Sequence, residues 1–332
     1  MPPRPRFRWM ALLIAGLLVL AGCVGGPAGS GPVAGGGKPS ASSAGVLGDL
    51  RTFDPCSVAD PAALARFGQV TDAGTVSLDY CLHRVQLADG SVVQVAVGEL
   101  AESTPDQPGG GAPVVARGQF RVRQEPPLPG HCARDVLFDD GIAMRVSADL
   151  LSGDPGAGLC AVAETGADAA VGAMQQHRAG HRAYPPDSLA VVDPCTVLDS
   201  AVVHEVPGLE QTQPRSTPAR HQCQWGEQNA ESPRVRLVHT AGDPPRVLHG
   251  AAVEEEIAGR RTVVSIVGGD PSVPLCSAET GHIPFGDPAG RQVEVAMLVV
   301  AVPGADGIEA CEYARGLAQS AWPRLPSSGG SG

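Results

Sequence analysis

Lysine is nearly missing from this 332-residue chain: Lys38 is the single one among 24 basic residues. P-loop and Ser-x-x-Lys chemistries therefore have no ammonium to work with. There is no Gly-x-Ser-x-Gly elbow, no His-Glu-x-x-His and no Cys-x-x-Cys pair, which removes the common sequence signatures of serine hydrolases, zincins and zinc ribbons. Positive charge is in deficit, and the formal net charge is -11. That balance argues against a nucleic-acid-binding surface, which needs positive charge clustered on one face, and against a polybasic membrane patch. Aromatic residues make up only 4% of the chain, so few large side chains are available to fill a core.

Glycine, proline and cysteine are what the chain has instead: 43, 31 and nine residues. The length suggests about two domains, and nine cysteines are uncommon in a reducing compartment. At the N-terminus, Arg4, Arg6 and Arg8 precede an apolar run from Ala11 to Leu20. Ten apolar residues are too few to span a bilayer, for which about 20 are needed, but they fit a signal-peptide core. The run ends in Leu20-Ala21-Gly22-Cys23, which resembles a bacterial lipoprotein signal. The resemblance implies removal of residues 1–22, a diacylglyceryl thioether on Cys23 and N-acylation, which together anchor stably where one chain does not. Residues 23–49, rich in Gly, Ser, Ala and Pro, read as a lipidated cysteine and flexible tether. Residues 327–332 read as a disordered tail.

The remaining eight cysteines fall into two quartets, Cys56, Cys81, Cys132, Cys160 and Cys195, Cys223, Cys276, Cys311. Local sequence repeats with them. Asp-Pro-Cys occurs at 54–56 and 193–195, and an Asp four residues beyond each Cys (Asp60, Asp199) stands where a helix N-cap is expected. Gly68 and Gly208 are expected to end those helices in a left-handed conformation. Gly118–Arg123 aligns with Gly259–Val264, and Gly141–Ser147 with Gln292–Leu298. The chain thus reads as one module written twice, residues 50–186 and 187–326, with the boundary near the paired prolines Pro185-Pro186. Alternating segments such as Ser91–Val97 and Arg234–His239 read as half-buried strands. Runs of strands flanked by helices predict an α+β fold, with an antiparallel sheet between N- and C-terminal helices in each module.

Four cysteines allow three pairings. Duplication favours bridges closed within each module, Cys56–Cys81, Cys132–Cys160, Cys195–Cys223 and Cys276–Cys311, over a metal site. His177 and His181 share one helix face if a helix extends through them, but Gly180 and the prolines favour a linker. Asp139-Asp140-Gly141 reads as a hairpin turn, Glu254–Glu256 as a solvated face. Trp225, in Cys223-Gln224-Trp225, and Trp322 read as core plugs; the first module has His83 at the place of Trp225.

The Asp-Pro-Cys opening, Cys-x-Trp, Cys276, Cys311-Glu-Tyr-Ala314 and Leu325-Pro326 together resemble actinobacterial cell-envelope lipoproteins of no assigned activity. The first module departs from that pattern at His83 and at Cys160-Ala-Val-Ala163. The resemblance implies an exported, disulfide-bonded protein on the outer face of the cytoplasmic membrane and supplies no catalytic residue. The expectation is a binding or sensing module without cofactor or metal. Its partner would be the membrane through its anchor and an envelope protein or small molecule, with no nucleic acid, and its site would lie in a cleft between modules. The alternatives are an exported hydrolase assembled only in three dimensions and a carrier of an apolar ligand.

Overall fold

The computed structural model describes residues 41–72, 77–103, 112–154, 156, 158–227, 229, 231–248, 252–267, 273–286 and 291–327. Cys23 and the signal lie outside these residues, as do most of the tether and the tail. Two seven-stranded antiparallel sheets carry the same strand order. Across the first run Gly68–Asp72, Cys81–Leu87, Val92–Glu102, Ile142–Ser152, His131–Leu137, Phe120–Gln124 and Val114–Arg117. Across the second run Arg215–Ser216, Gln222–Gly226, Arg234–Gly242, Val293–Ala301, Leu275–Pro284, Arg260–Val267 and Ala252–Ile257. One long helix packs on one face of each sheet, Leu159–Gln175 and Gly307–Ala321. Each sheet–helix pair has its own buried cluster.

The fold is α+β with four disulfides, at the expected pairings: Cys56–Cys81, Cys132–Cys160, Cys195–Cys223 and Cys276–Cys311. The Asp-Pro-Cys motif has a local physical role. The Asp54 and Asp193 carboxylates accept from the Cys56 and Cys195 amides at 3.0 Å, and the proline occupies the first turn, where a missing N–H costs nothing. The cysteine is thereby aimed at the start of a strand. Asp60 and Asp199 cap the next turns as expected.

The flanking helices fit only in part. Each N-terminal helix is a single turn, Pro61–Leu64 and Ser200–Val203, too short to form a layer. Gly208 is left-handed at φ 82° but lies beyond the helix end at Val203, whereas Gly68 does end the helical turn Ala65–Phe67 but in an extended conformation that starts a strand. A Cβ there would lie 1.9 Å from the Gln86 carbonyl oxygen, so its glycine serves close strand approach. The tether is shorter than its composition suggests. Ser43–Leu47 forms a helix capped by Ser42, and Ala41 and Leu47 are buried in the first core. The carboxylates of the Asp139-Asp140 hairpin secure it: Asp139 accepts from the Ala41 amide, and Asp140 from the Ser43 amide and hydroxyl. Leu47, with Val46 and Leu50 packed against the same core, and the two carboxylates order a segment that is otherwise Gly- and Ser-rich.

Trp225 and Trp322 are fully buried, and their indole N–H groups donate to Ser200 and Thr262 hydroxyls. His83 is buried in the first sheet. The edge strand Ala252–Ile257 carries Glu254–Glu256, two of which are cross-paired, Glu254 with Arg261 and Glu255 with Arg315. Charge on an exposed edge opposes pairing with another chain.

Candidate functional site: the groove between the modules

The two modules belong to one contact unit. Leu78 of the first packs with Ala190, Ala241, Phe285 and Tyr184. Beside this patch, His221 Nδ1–H donates to Asp79 Oδ1 at 2.7 Å, and Gln222 Nε2 donates to Asp79 Oδ2 at 3.0 Å. Arg182 reaches Asp54 and the Ser77 carbonyl and lies over the Phe285 ring. The linker is tied to the second sheet by Glu294, which accepts from the Ser188 hydroxyl and the Leu189 amide.

A groove of about 590 Å³ opens between the modules. Its walls are sheet residues of alternation opposite to the core-facing ones. In the first sheet, cross-strand register places Glu99, Arg145, Asp135 and Arg123 in one row across four strands. Signs alternate along that row, and Asp135 is clamped by Arg145 at 3.0 Å and Arg123 at 2.8 Å. Burial works to raise the Asp135 carboxyl, but the two guanidiniums outweigh it and hold it below its ordinary value.

Glu99 joins that row because of a bulge. Val93, Val95 and Val97 face the core; Leu100, not Glu99, continues the buried series. The register shift at Gly98 reverses the alternation and sends Glu99 to the groove side. Gly98 has φ 125°, and a Cβ there would lie 2.4 Å from Pro55 Cβ, so only glycine passes over the Asp-Pro-Cys turn.

The opposite wall is donor-rich. Arg215, Gln224 and Arg236 sit opposite one another on three adjacent strands, and Arg234 lies one alternation along. Gln222, Thr217, Ser216 and Pro218 complete it, together with one exposed carboxylate, Glu227. Burial, then the nearby Arg236 charge, push the Arg234 guanidinium below its ordinary value.

No family model matches the chain, and no curated protein matches it. Among solved structures, the di-domain ARO/CYC BexL from the BE-7585A biosynthetic pathway is similar at 11% identity. The match covers 87% of this chain and 93% of that one, with a TM-score of 0.16.

The residues singled out from sequence do not converge here. His177 lies past the end of the long helix with φ 54°, and His181 is paired in a bridge with Phe53, its Nδ1 3.0 Å from the Thr52 hydroxyl. They do not share a helix face, and among the described residues no group of three His, Cys, Asp or Glu is placed to hold a metal. His221 and Asp79 have the pairing of a general base and its orienter. His221 is 1% exposed and its Nε2 has no partner, so the pair is a strut between modules. No helix among the described residues is long and apolar enough to cross a membrane.

His239, buried behind the groove wall, donates from Nδ1 to the Leu189 and Val192 carbonyls. Burial pushes its imidazole down to about 4, against an ordinary 6.5. The neutral form is thus the stable one. Its contribution is complete above pH 6.5 and is lost as pH falls toward 4, about 3 kcal/mol in all. Glu294 acts in the opposite sense: burial raises its pKa, so its contribution is lost as pH rises through that raised value. Urea midpoints should fall between pH 7 and pH 4, and His239→Gln should flatten that decline.

Proposed function

We propose that the chain is an extracytoplasmic lipoprotein, anchored through Cys23, that arose by duplication of one disulfide-bonded module and binds an envelope component between the copies. The observation that carries the binding reading is the polar groove of about 590 Å³, a volume suited to a small ligand. Its walls come from both modules, and the Asp79–His221 strut fixes their spacing. The four disulfides support export, since such bonds persist in oxidising compartments. The common strand order supports duplication.

A photo-crosslinking residue at Ala101, exposed in the groove wall, tests the binding reading in the intact envelope. It should capture a component that the same probe at Ile308, exposed on the long helix of the second module, does not. Equal capture at both positions, or none, rejects the groove as the site. In parallel, Cys23→Ser should move the protein from the membrane to the released fraction; wild-type protein without an acyl mass on Cys23 rejects the anchor.

A further inference from the structure

We infer that the groove takes an anionic ligand, a carboxylate or phosphate seated on Arg215 and Arg236, whose other end carries amine or hydroxyl donors. This rests on the binding reading above and names its ligand class.

Arginines of two kinds line the groove. On the first-module wall, Arg123 and Arg145 are satisfied by Asp135, and Arg123 also by Glu125 at 2.6 Å. On the second-module wall, Arg215 and Arg236 have no carboxylate within 4.0 Å among the described residues. Arg215 donates to the Gly226 carbonyl and Arg236 to Gln222 Oε1. Arg234 shares their face beside Arg236 and donates to the Asn229 and Ser232 carbonyls, so like charges are gathered close together. An overall acidic chain has gathered three guanidiniums on one corner of a sheet. Guanidinium matches a carboxylate or phosphate with two parallel hydrogen bonds, and a bound anion relieves the mutual repulsion.

Arg236 is also held ready. It donates to Gln222, Gln222 donates to Asp79, and His221 donates to the same carboxylate. A chain of hydrogen bonds from the first module thus orients an anion-facing group on the second, and either module alone leaves the site incomplete. The facing wall supplies Glu99 and Glu102, neither in an ion pair among the described residues. Those carboxylates repel a second anionic group and accept from amines or hydroxyls.

Calorimetric titration of the full chain, disulfides closed and at low salt, tests this with L-glutamate, citrate, inorganic phosphate and sucrose. The anions should bind saturably, L-glutamate most tightly because it also carries an amine, and sucrose should not bind. Preference between citrate and phosphate identifies the oxyanion. Arg236→Gln and Arg215→Gln should each weaken binding at least tenfold. Arg117→Gln, which removes a guanidinium bound by Glu164 and Asp168 on the first module's helix, should leave it unchanged. Arg215 is exposed at the sheet edge, so its variant reports binding even if Arg236→Gln disturbs the Gln222–Asp79 chain. Absence of anion binding, or equal binding by Arg215→Gln and wild type, overturns the inference. If the Ala101 probe still captures a neutral component, the binding reading survives that result; if it captures nothing, both fall.

Discussion

Replacing Asp79 with alanine should lower stability by about 2–4 kcal/mol, because a buried donor left without an acceptor costs roughly 1–3 kcal/mol and two donors lose theirs. Those donors are His221 Nδ1 and Gln222 Nε2, both reaching across the module boundary. Other support between the modules among the described residues comes from a small apolar patch around Leu78, a 3.4 Å contact between the Thr240 and Ser77 hydroxyls, Arg182 spanning that patch, and Arg51 donating to the Val191 carbonyl. The two hydrophobic cores are otherwise separate. Loss of the strut should therefore separate their unfolding, so that one calorimetric transition becomes two. A double-mutant cycle isolates the pair. In a His221→Phe background, Asp79→Ala should cost markedly less than in wild type, since one stranded donor is already gone. A single, unshifted transition for Asp79→Ala would show that the modules do not depend on this contact.

The second large effect is expected at Cys276–Cys311. Changing both residues to alanine opens a loop with a sequence separation of 35, the longest of the four. The chain-entropy relation gives a loss of about 4 kcal/mol, against about 3.5 kcal/mol for Cys56–Cys81 at a separation of 25. The bridge joins a strand to the long helix of the second module, whose inner face buries Ala310, Ala314, Leu317, Ala318 and Ala321. Alanine-rich packing buries little area per residue, so the covalent link carries a large share of that helix's docking. Because the Asp79–His221 strut is intact in this variant, urea denaturation should show a lowered midpoint of the common transition. A loss under 1 kcal/mol would mean that the reduced chain already keeps these elements together.

Where the local chemistry is self-contained, it was legible without coordinates. The Asp-Pro turns, the Asp60 and Asp199 caps and the burial of Trp225 and Trp322 follow from residue type and position. So did the choice of disulfide partners, once the repeat was recognised. The errors came where composition was read in place of contact. Ala41–Leu47 looks like tether, yet apolar contacts and two distant carboxylates order it. Gly68 ends a helical turn as expected, yet its extended conformation is set by the close Gln86 carbonyl.

A cleft between the modules was expected on general grounds, but the residues that build the groove were not legible. Asp79 and His221 are 142 residues apart, and nothing nearby in either segment marks them as partners. Glu99 by simple alternation belongs to the core side; only the bulge over Pro55 turns it outward. Arg215, Arg234 and Arg236 are unremarkable in a chain whose cations are almost all arginine.

The sequence by itself determined the covalent frame: two quartets of cysteines, two Asp-Pro-Cys openings and a strand-rich pattern that closes each quartet on its own sheet. These depend on neighbours within a few tens of residues, where capping, alternation and loop closure act. Only the tertiary structure decided which sheet faces meet and which charges go unpaired. Those outcomes depend on strand register and on contacts between modules, and a single bulge or buried carboxylate is enough to change them.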